Sequence, residues 1–240
     1  MARRRAAAGG FDLLMRLRAA LAVATLALGA SACQQPALAA EQAVAAPKAQ
    51  RVAKEGPGLK TAIFAGGCFW GVEGVFSHVR GVTSAVAGYH GGTGRQASYK
   101  LVSSGITDHA EAVKVTYDPK VIRYDQLLRI YFSVVADPTQ LNRQGPDRGA
   151  HYRGAIVPMS SEQNAVAKAY IAQLTAAKLW NRPIVTQIER AQAFYPAESY
   201  HQDFMLKNPR HSYIVRWDAP KVKALKAIYP GVYSASFQRD

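Results

Sequence analysis

From Leu59 onward, hydrophobic and polar positions alternate between two periods. Continuous apolar runs or strict alternation predict five strands, at 61–65, 82–88, 111–117, 152–157 and 184–190. Apolar residues three or four positions apart predict four helices, at 69–79, 124–135, 160–180 and 198–207. The elements therefore follow one another as β-α-β-β-α-β, with a further helix, strand and helix behind them.

This order predicts an α+β fold in one domain. A β-α-β-β-α-β core is typical of a two-layer sandwich with the split βαβ, ferredoxin-like arrangement, here extended by a C-terminal strand and helices. The pattern continues without a break, so residues 59–229 are predicted to form the domain, with a tail at 230–240. Residues 41–58 are rich in Ala, Lys, Gln, Pro and Gly, a composition typical of a flexible linker.

The N-terminal residues have the pattern of a secretory signal peptide. Arginines precede an apolar run at 19–32, which is shorter than the roughly 20 residues that span a membrane. Small residues at 37–39 suit signal peptidase. We therefore expect a signal peptide at 1–40 and a periplasmic or secreted protein, rather than an uncleaved membrane anchor. Lipid attachment through Cys33 is disfavoured, because Ala30 stands where such sites carry a larger aliphatic residue.

Export changes what the two cysteines can do. Removal of the signal would take away Cys33 and leave Cys68 with no partner for an intramolecular disulfide. The formal net charge of +14 indicates a basic surface, but its lysines and arginines are scattered, so nucleic acid is not an expected partner. The histidines lack the close spacing typical of metal ligands, and we expect neither a metal nor another cofactor.

Cys68 stands at the predicted turn between the strand at 61–65 and the helix at 69–79. The preceding glycines, Gly66 and Gly67, allow the backbone to bend there. A cysteine in the first turn of a helix faces unpaired backbone N–H groups and the positive end of the helix dipole, which both favour the thiolate. A free cysteine that only packs as a small hydrophobic side chain is the alternative.

Glu111 is a carboxylate that the alternation along its predicted strand places on the apolar face. It shares the parity of Val113, Val115 and Tyr117, so it is expected at the start of the apolar face of its strand. Burial against apolar surface disfavours the charged carboxylate, which would raise its pKa and suit it to act as a general acid. The alternative is a side chain that turns into solvent at the strand end.

Six blocks form an ordered set between residues 59 and 209. They are Gly67-Cys68-Phe69-Trp70-Gly71, Gly88-Tyr89-His90-Gly91-Gly92, Ser98-Tyr99-Lys100, His109-Ala110-Glu111-Ala112-Val113, the segment 147–153 and Phe194-Tyr195-Pro196-Ala197-Glu198. Together they closely resemble the A-type peptide methionine sulfoxide reductases. The resemblance implies an α+β fold with a ferredoxin-like core. It also implies a peptide-methionine (S)-S-oxide reductase, which reduces S-epimer methionine sulfoxide, free or in proteins, to methionine.

The resemblance assigns the chemistry to two residues. Cys68 matches the nucleophile that attacks the sulfoxide sulfur and becomes a sulfenic acid. Glu111 matches the acid that protonates the departing oxygen, which is a poor leaving group without that proton.

Five further residues match those that bind the substrate. Tyr99 and Tyr152 match phenols that hydrogen-bond the sulfoxide oxygen, and Asp147 matches a carboxylate that assists them. Phe69 and Trp70 match an aromatic wall that accepts the substrate methyl group.

The chain departs from the family pattern at three places. Many relatives carry C-terminal cysteines that resolve the sulfenic acid, whereas residues 210–240 contain none. We therefore expect an external thiol to resolve the sulfenic acid: a thioredoxin-like protein, a glutaredoxin-like protein or a small thiol. We expect the enzyme to be a monomer that repairs oxidised exported proteins. Asp108 stands where glycine is frequent and would raise the pKa of Glu111 if the two lie close. His151 stands where many relatives have glutamine.

Two other classes of function are open on this sequence. A thiol peroxidase or a disulfide-exchange protein would also use Cys68. Disulfide exchange normally needs a Cys-x-x-Cys pair, however, and Gly71 stands at the position of the second cysteine. An exported binding module with an inert thiol is the second class. Turnover of methionine sulfoxide compared with hydrogen peroxide, and alkylation of Cys68 at neutral pH, separate these classes.

Overall fold

The structure, a computed structural model, describes residues 43–239. The signal peptide predicted at 1–40 and Cys33 lie outside the described residues. Across the described part of the chain, we find no helix long and apolar enough to cross a membrane.

A six-stranded sheet forms the centre of the molecule. Its strands lie in the order β7-β6-β1-β3-β2-β8, while β4 and β5 form a separate small hairpin. The strands are β1 Lys60–Gly66, β2 Val82–His90, β3 Ala110–Tyr117, β4 Arg143–Gln144, β5 Asp147–Arg148, β6 Gly154–Val157, β7 Gln187–Ile188 and β8 Phe194–Pro196. Neighbouring strands of the sheet pair antiparallel, except β7, which runs parallel to β6.

Helices cover one face of this sheet, so the fold is α+β. They are α1 Phe69–Ser77, α2 Tyr99–Ser103, α3 Tyr124–Ile130, α4 Ser161–Ala177, α5 Phe204–Lys207 and α6 Ala219–Ile228. The larger hydrophobic core includes Phe64, Val113 and Val115 of the sheet and the apolar side of α1. Residues that point to the opposite face of the sheet form a smaller hydrophobic cluster, which consists mainly of alanines.

Two π-helical turns, Tyr131–Val135 and Ile214–Asp218, interrupt the helical pattern. The sequence predicts one helix over 124–135, but the π turn follows α3 directly. Ser133 explains the change, because its Oγ donates to the carbonyl of Arg129 (2.6 Å) and accepts from the N–H of Ala46 (3.1 Å). A side chain that bonds within the helical ladder widens the turn at that point.

Three predicted elements differ from the structure. The strand at 184–190 is reduced to the two residues of β7, and the strand at 152–157 begins only at Gly154. The helix at 198–207 begins only at Phe204, and β8 was not predicted. Residues 199–203 form turns in place of the first part of that helix, because the Gln202 side chain accepts from the N–H and donates to the C=O of Ala87 in β2, which holds these turns against the sheet.

The prediction of a flexible linker is wrong for residues 44–55. Ala46 and Ala53 are buried, and the N–H of Ala53 donates to Asp125 Oδ1 at 3.1 Å. Glu55 accepts hydrogen bonds from the Tyr117 hydroxyl and the Tyr124 N–H. This segment, which we call the N-terminal strap (44–55), therefore packs along the domain; its composition could not reveal these specific contacts.

Candidate active site

The end of β1 and the start of α1 position Cys68. Gly67 has a φ of +85°, and a Cβ there would lie 2.5 Å from Cβ of Gln144, so the turn requires glycine. Cys68 is the residue before α1, and its carbonyl accepts from the N–H of Gly71 at 3.2 Å. The sulfur therefore sits at the positive end of a nine-residue helix.

The Cys68 thiol is partly buried and surrounded by carboxyl groups. Burial raises its pKa well above the usual value, and the charges of Glu111, Asp218 and Asp147 raise it further. The backbone N–H of Trp70 opposes this shift but does not reverse it. The backbone N–H at the helix start favours the thiolate, as expected from the sequence, but burial and three carboxyl groups outweigh it.

Glu111 lies on the core side of β3 with its side chain only 1% exposed. Its Oε2 accepts a hydrogen bond from the N–H of Phe69 at 3.0 Å, which ties it to the first residue of α1. Burial raises its pKa to about 8, with Asp147 and Asp218 adding to the rise and the Phe69 N–H opposing it. The parity prediction is confirmed, and at neutral pH the carboxyl group is largely protonated.

Two half-buried phenols, Tyr99 and Tyr152, share this environment. Burial raises the pKa of Tyr99 and of Tyr152, and for both the next cause is the charge of Glu111, with Cys68 also contributing. Both hydroxyls therefore stay protonated and available as donors. The N–H of Tyr99 donates to Glu198 Oε1 at 2.9 Å, which fixes the start of α2.

Asp147, in the β4–β5 hairpin, accepts a hydrogen bond from the Tyr213 hydroxyl. The cleft beside Cys68 is lined by both of these residues and by Trp217, Asp218 and Lys221.

Aromatic rings form one side of the site. Trp70 stacks on Phe204 with ring centroids 3.7 Å apart and planes 6° apart. Phe69 is buried, and its ring lies 5.9 Å from that of Tyr89 and 4.9 Å from that of His201. The arrangement offers a nucleophile, a protonated acid, two phenols and an apolar wall. In the stretch 43–239 we find no group of His, Cys, Asp or Glu side chains that could hold a metal ion.

Comparison with known proteins identifies the family. A family model described as "Peptide methionine sulfoxide reductase" matches residues 60–230. The chain belongs to this family. Among its relatives is "Peptide methionine sulfoxide reductase MsrA 2" of Mesorhizobium japonicum, 56% identical over 181 residues, which are 75% of this chain and 93% of that protein. The relative of the same description from Synechocystis sp. is 49% identical over 172 residues, which are 72% of this chain and 80% of that protein.

Two solved structures of the peptide methionine sulfoxide reductase family match the fold. Reduced Mxr1 from Saccharomyces cerevisiae has a TM-score of 0.57 at 34% identity, covering 66% of this chain and 91% of that chain. Methionine sulfoxide reductase A of Corynebacterium diphtheriae has a TM-score of 0.55 at 30% identity, covering 73% and 93%. The enzyme class of the chain is accordingly peptide-methionine (S)-S-oxide reductase.

The structure brings all seven residues that the reductase resemblance selected around the start of α1. They are Cys68, Phe69, Trp70, Tyr99, Glu111, Asp147 and Tyr152. Asp108 is exposed, and its backbone carbonyl binds Arg153, so the carboxylates that raise the Glu111 pKa further are Asp147 and Asp218 instead. His151 is buried with its ring 4.2 Å from that of Tyr152.

Sequence reasoning missed three residues of the reductase site: His201, Tyr213 and Asp218. Asp218 is buried, and its carboxylate occupies the space that a Cβ at Gly71 would need. The one feature of the sequence that marks Asp218 is the pattern of a helix start in Asp218-Ala219-Pro220. This pattern indicates that Asp218 caps a helix, and it gives no indication that Asp218 belongs to the active site. No periodicity reveals that this C-terminal segment folds back over α1.

Proposed function

We propose that the protein reduces S-epimer methionine sulfoxide, free or in proteins, to methionine, with Cys68 as the nucleophile and Glu111 as the general acid. The observation that carries this proposal is the buried Glu111 carboxyl, hydrogen-bonded to the residue next to Cys68 and holding its proton up to about pH 8. A neutral acid beside a thiol is what sulfoxide reduction needs and a simple thiolate peroxidase does not.

In the first step, the Cys68 sulfur attacks the sulfoxide sulfur while Glu111 delivers a proton to the oxygen. The oxygen passes to Cys68, which becomes a sulfenic acid, and methionine leaves. The backbone N–H of Trp70 stabilises the thiolate of Cys68. Protonated Glu111 carries no charge, which removes one of the causes that raise the Cys68 pKa, so the acid form of Glu111 favours the nucleophilic form of Cys68.

The substrate is oriented by its two small substituents on sulfur. Tyr99 and Tyr152 donate to the sulfoxide oxygen as its negative charge grows, and Asp147, held by Tyr213, completes this polar side. Phe69 and Trp70 receive the methyl group, whose burial contributes about 0.8 kcal/mol. A chiral sulfur held by oxygen on one side and methyl on the other selects the S epimer.

An external thiol completes the cycle. Cys68 is the only cysteine within residues 41–240. A thiol attacks the sulfenic acid, releases water and leaves a mixed disulfide at Cys68, and a second thiol then exchanges to restore the cysteine. A thioredoxin-like protein, a glutaredoxin-like protein or a small thiol fits this requirement.

Two finer assignments belong to the same proposal. We infer export and repair of oxidised exported proteins from the signal-peptide pattern at 1–40. We also infer a ferredoxin-like core for β1, α1, β2, β3, α3 and β6, supported by the antiparallel strand order β6-β1-β3-β2.

Substitution of the nucleophile tests the proposal. Cys68→Ser should abolish reduction of a peptide containing S-epimer methionine sulfoxide with dithiothreitol, because a serine hydroxyl is a far weaker nucleophile at neutral pH. Circular dichroism should show an unchanged fold. Activity of the Ser variant near that of the wild type would remove Cys68 from the mechanism.

A further inference from the structure

His201 lies at the centre of the aromatic side of the site. His201 is only 2% exposed, and it stands three positions before Phe204, the first residue of α5. Its ring centroid lies 4.5 Å from that of Tyr99, 4.9 Å from that of Phe69 and 5.8 Å from that of Trp70. One side chain thus contacts three of the four aromatic residues to which the proposed function gives substrate binding.

A hydrogen bond fixes the relation between His201 and Trp70. The indole Nε1–H of Trp70 donates to Nδ1 of His201 at 3.1 Å. An indole nitrogen can only donate, so Nδ1 must be the unprotonated nitrogen, and the neutral ring carries its proton on Nε2. Burial lowers the pKa of His201, although the charge of Glu198 opposes this, so the acceptor form is retained at neutral pH.

Other rings contact the indole of Trp70, but none of them accepts its N–H: His211 and Tyr213 each meet it edge-on with ring centroids 5.9 Å away. Phe204 stacks on one face of the indole and fixes its plane, but stacking leaves the ring able to slide and rotate within that plane. A hydrogen bond at the ring edge removes this freedom. The ring contacts and this hydrogen bond together hold the indole in one position.

We propose that His201 is a positioning residue for the substrate-methyl wall, acting through its hydrogen bond to Trp70. The inference rests on the proposed function, because it assumes that Trp70 receives the substrate methyl group. His201 itself takes no part in proton transfer to the sulfoxide.

A matched pair of substitutions tests the role. Asn Oδ1 is the same number of bonds from Cβ as His Nδ1, so His201→Asn keeps an acceptor for Trp70, whereas His201→Leu has a similar branch without one. His201→Leu should raise KM for a peptide with S-epimer methionine sulfoxide about tenfold, as expected when a buried donor loses its acceptor. Its kcat should stay within about twofold, and His201→Asn should restore KM to within about threefold of wild type.

A double-mutant cycle shows whether the effect passes through Trp70. In a Trp70→Phe background, which has no N–H to donate, His201→Leu should add no further rise in KM. His78→Leu, which loses a histidine bond at the far end of α1, is the stability control and should leave KM unchanged. The inference is overturned if His201→Leu leaves KM unchanged, if Asn rescues no better than Leu, or if the Leu effect persists without the indole N–H. An inactive wild-type protein would instead overturn the proposed function.

Discussion

At the scale of single residues, Glu111 determines the chemistry that the site can perform. Its parity in β3 sends the carboxyl toward α1, and the N–H of Phe69 holds it there at 3.0 Å. The resulting pKa of about 8 keeps a proton in place at neutral pH. The same burial has an energetic cost, because the folded protein keeps Glu111 neutral at pH values where the unfolded chain ionises it.

Glu111→Gln should lower kcat by 10²–10⁴-fold, the range typical of a lost general acid, with little change in KM. The wild-type rate should fall as pH rises through about 8, because Glu111 then loses its proton. The Gln variant should lack this falling limb. Glu162→Gln, on the surface of α4, is the matched control and should keep the wild-type pH profile. A Gln variant within about threefold of wild type would mean that Glu111 is not the acid.

The same substitution should change stability with a definite sign. Folding raises the pKa of Glu111 from its ordinary value of 4.5 to about 8, so its stabilising contribution is complete below about pH 4.5 and is lost as pH rises toward 8. At pH 7 the loss is about 3 kcal/mol, at 1.36 kcal/mol per pKa unit. Glu111→Gln should therefore lose less thermal stability than wild type between about pH 5 and pH 8. Equal losses in thermal melts of the two proteins would contradict the assigned burial.

At the scale of elements, segments remote in sequence enclose the start of α1. The C-terminal π turn brings Asp218 against Gly71, and the hairpin β4–β5 brings Asp147 to the hydroxyl of Tyr213. The N-terminal strap packs against α3 and α4, where its backbone N–H groups donate to Asp125 and Glu162. Through Glu55, the strap reaches the Tyr117 hydroxyl, the Tyr124 N–H and Gln163 Nε2.

Glu55→Ala should destabilise the domain without affecting catalysis. The substitution removes the acceptor for three donors, including a backbone N–H, and should lower the free energy of unfolding by about 2–3 kcal/mol. Urea unfolding measures the change, and Lys48→Ala, an exposed position of the same strap, is the control expected within about 0.5 kcal/mol of wild type. A wild-type unfolding free energy for Glu55→Ala would mean that the strap does not stabilise the domain.

At the scale of the whole molecule, local pattern predicted most of the fold. Hydrophobic residues recur with a single helical or strand period in each of β1, α1, β2 and β3. The places of these elements in the sequence, and the direction of Glu111 toward the core, could therefore be predicted directly. The strap, β8 and the late start of α5 could not, because they depend on bonds between side chains and distant backbone, such as those of Gln202 to Ala87. His201 and Asp218 were missed for the same reason: contact across the fold has no period.

The raised pKa of the Cys68 thiol shows a further limit of sequence reasoning. The helix start was visible in the sequence, but the three carboxyl groups that surround the sulfur come from β3, the β4–β5 hairpin and the C-terminal π turn. Burial of the thiol, and after it these three charges, outweigh the effect of the helix start on the Cys68 pKa. The chemistry of the site is therefore a property of the assembled domain and not of the Gly-Cys-Phe-Trp motif by itself.

The central claim is that Cys68 takes the oxygen from the sulfoxide, and a single-turnover experiment tests it most directly. Full-length protein carrying Cys33→Ser, which leaves Cys68 as its one cysteine, is mixed with S-epimer methionine sulfoxide without reductant, trapped with dimedone and analysed by mass spectrometry and non-reducing electrophoresis. About one methionine should be released per chain, and Cys68 of the monomer should carry a dimedone adduct, because the oxidised sulfur has no internal thiol to react with. Absence of released methionine, or its release with Cys68 unmodified or crosslinked between two chains, would contradict the account.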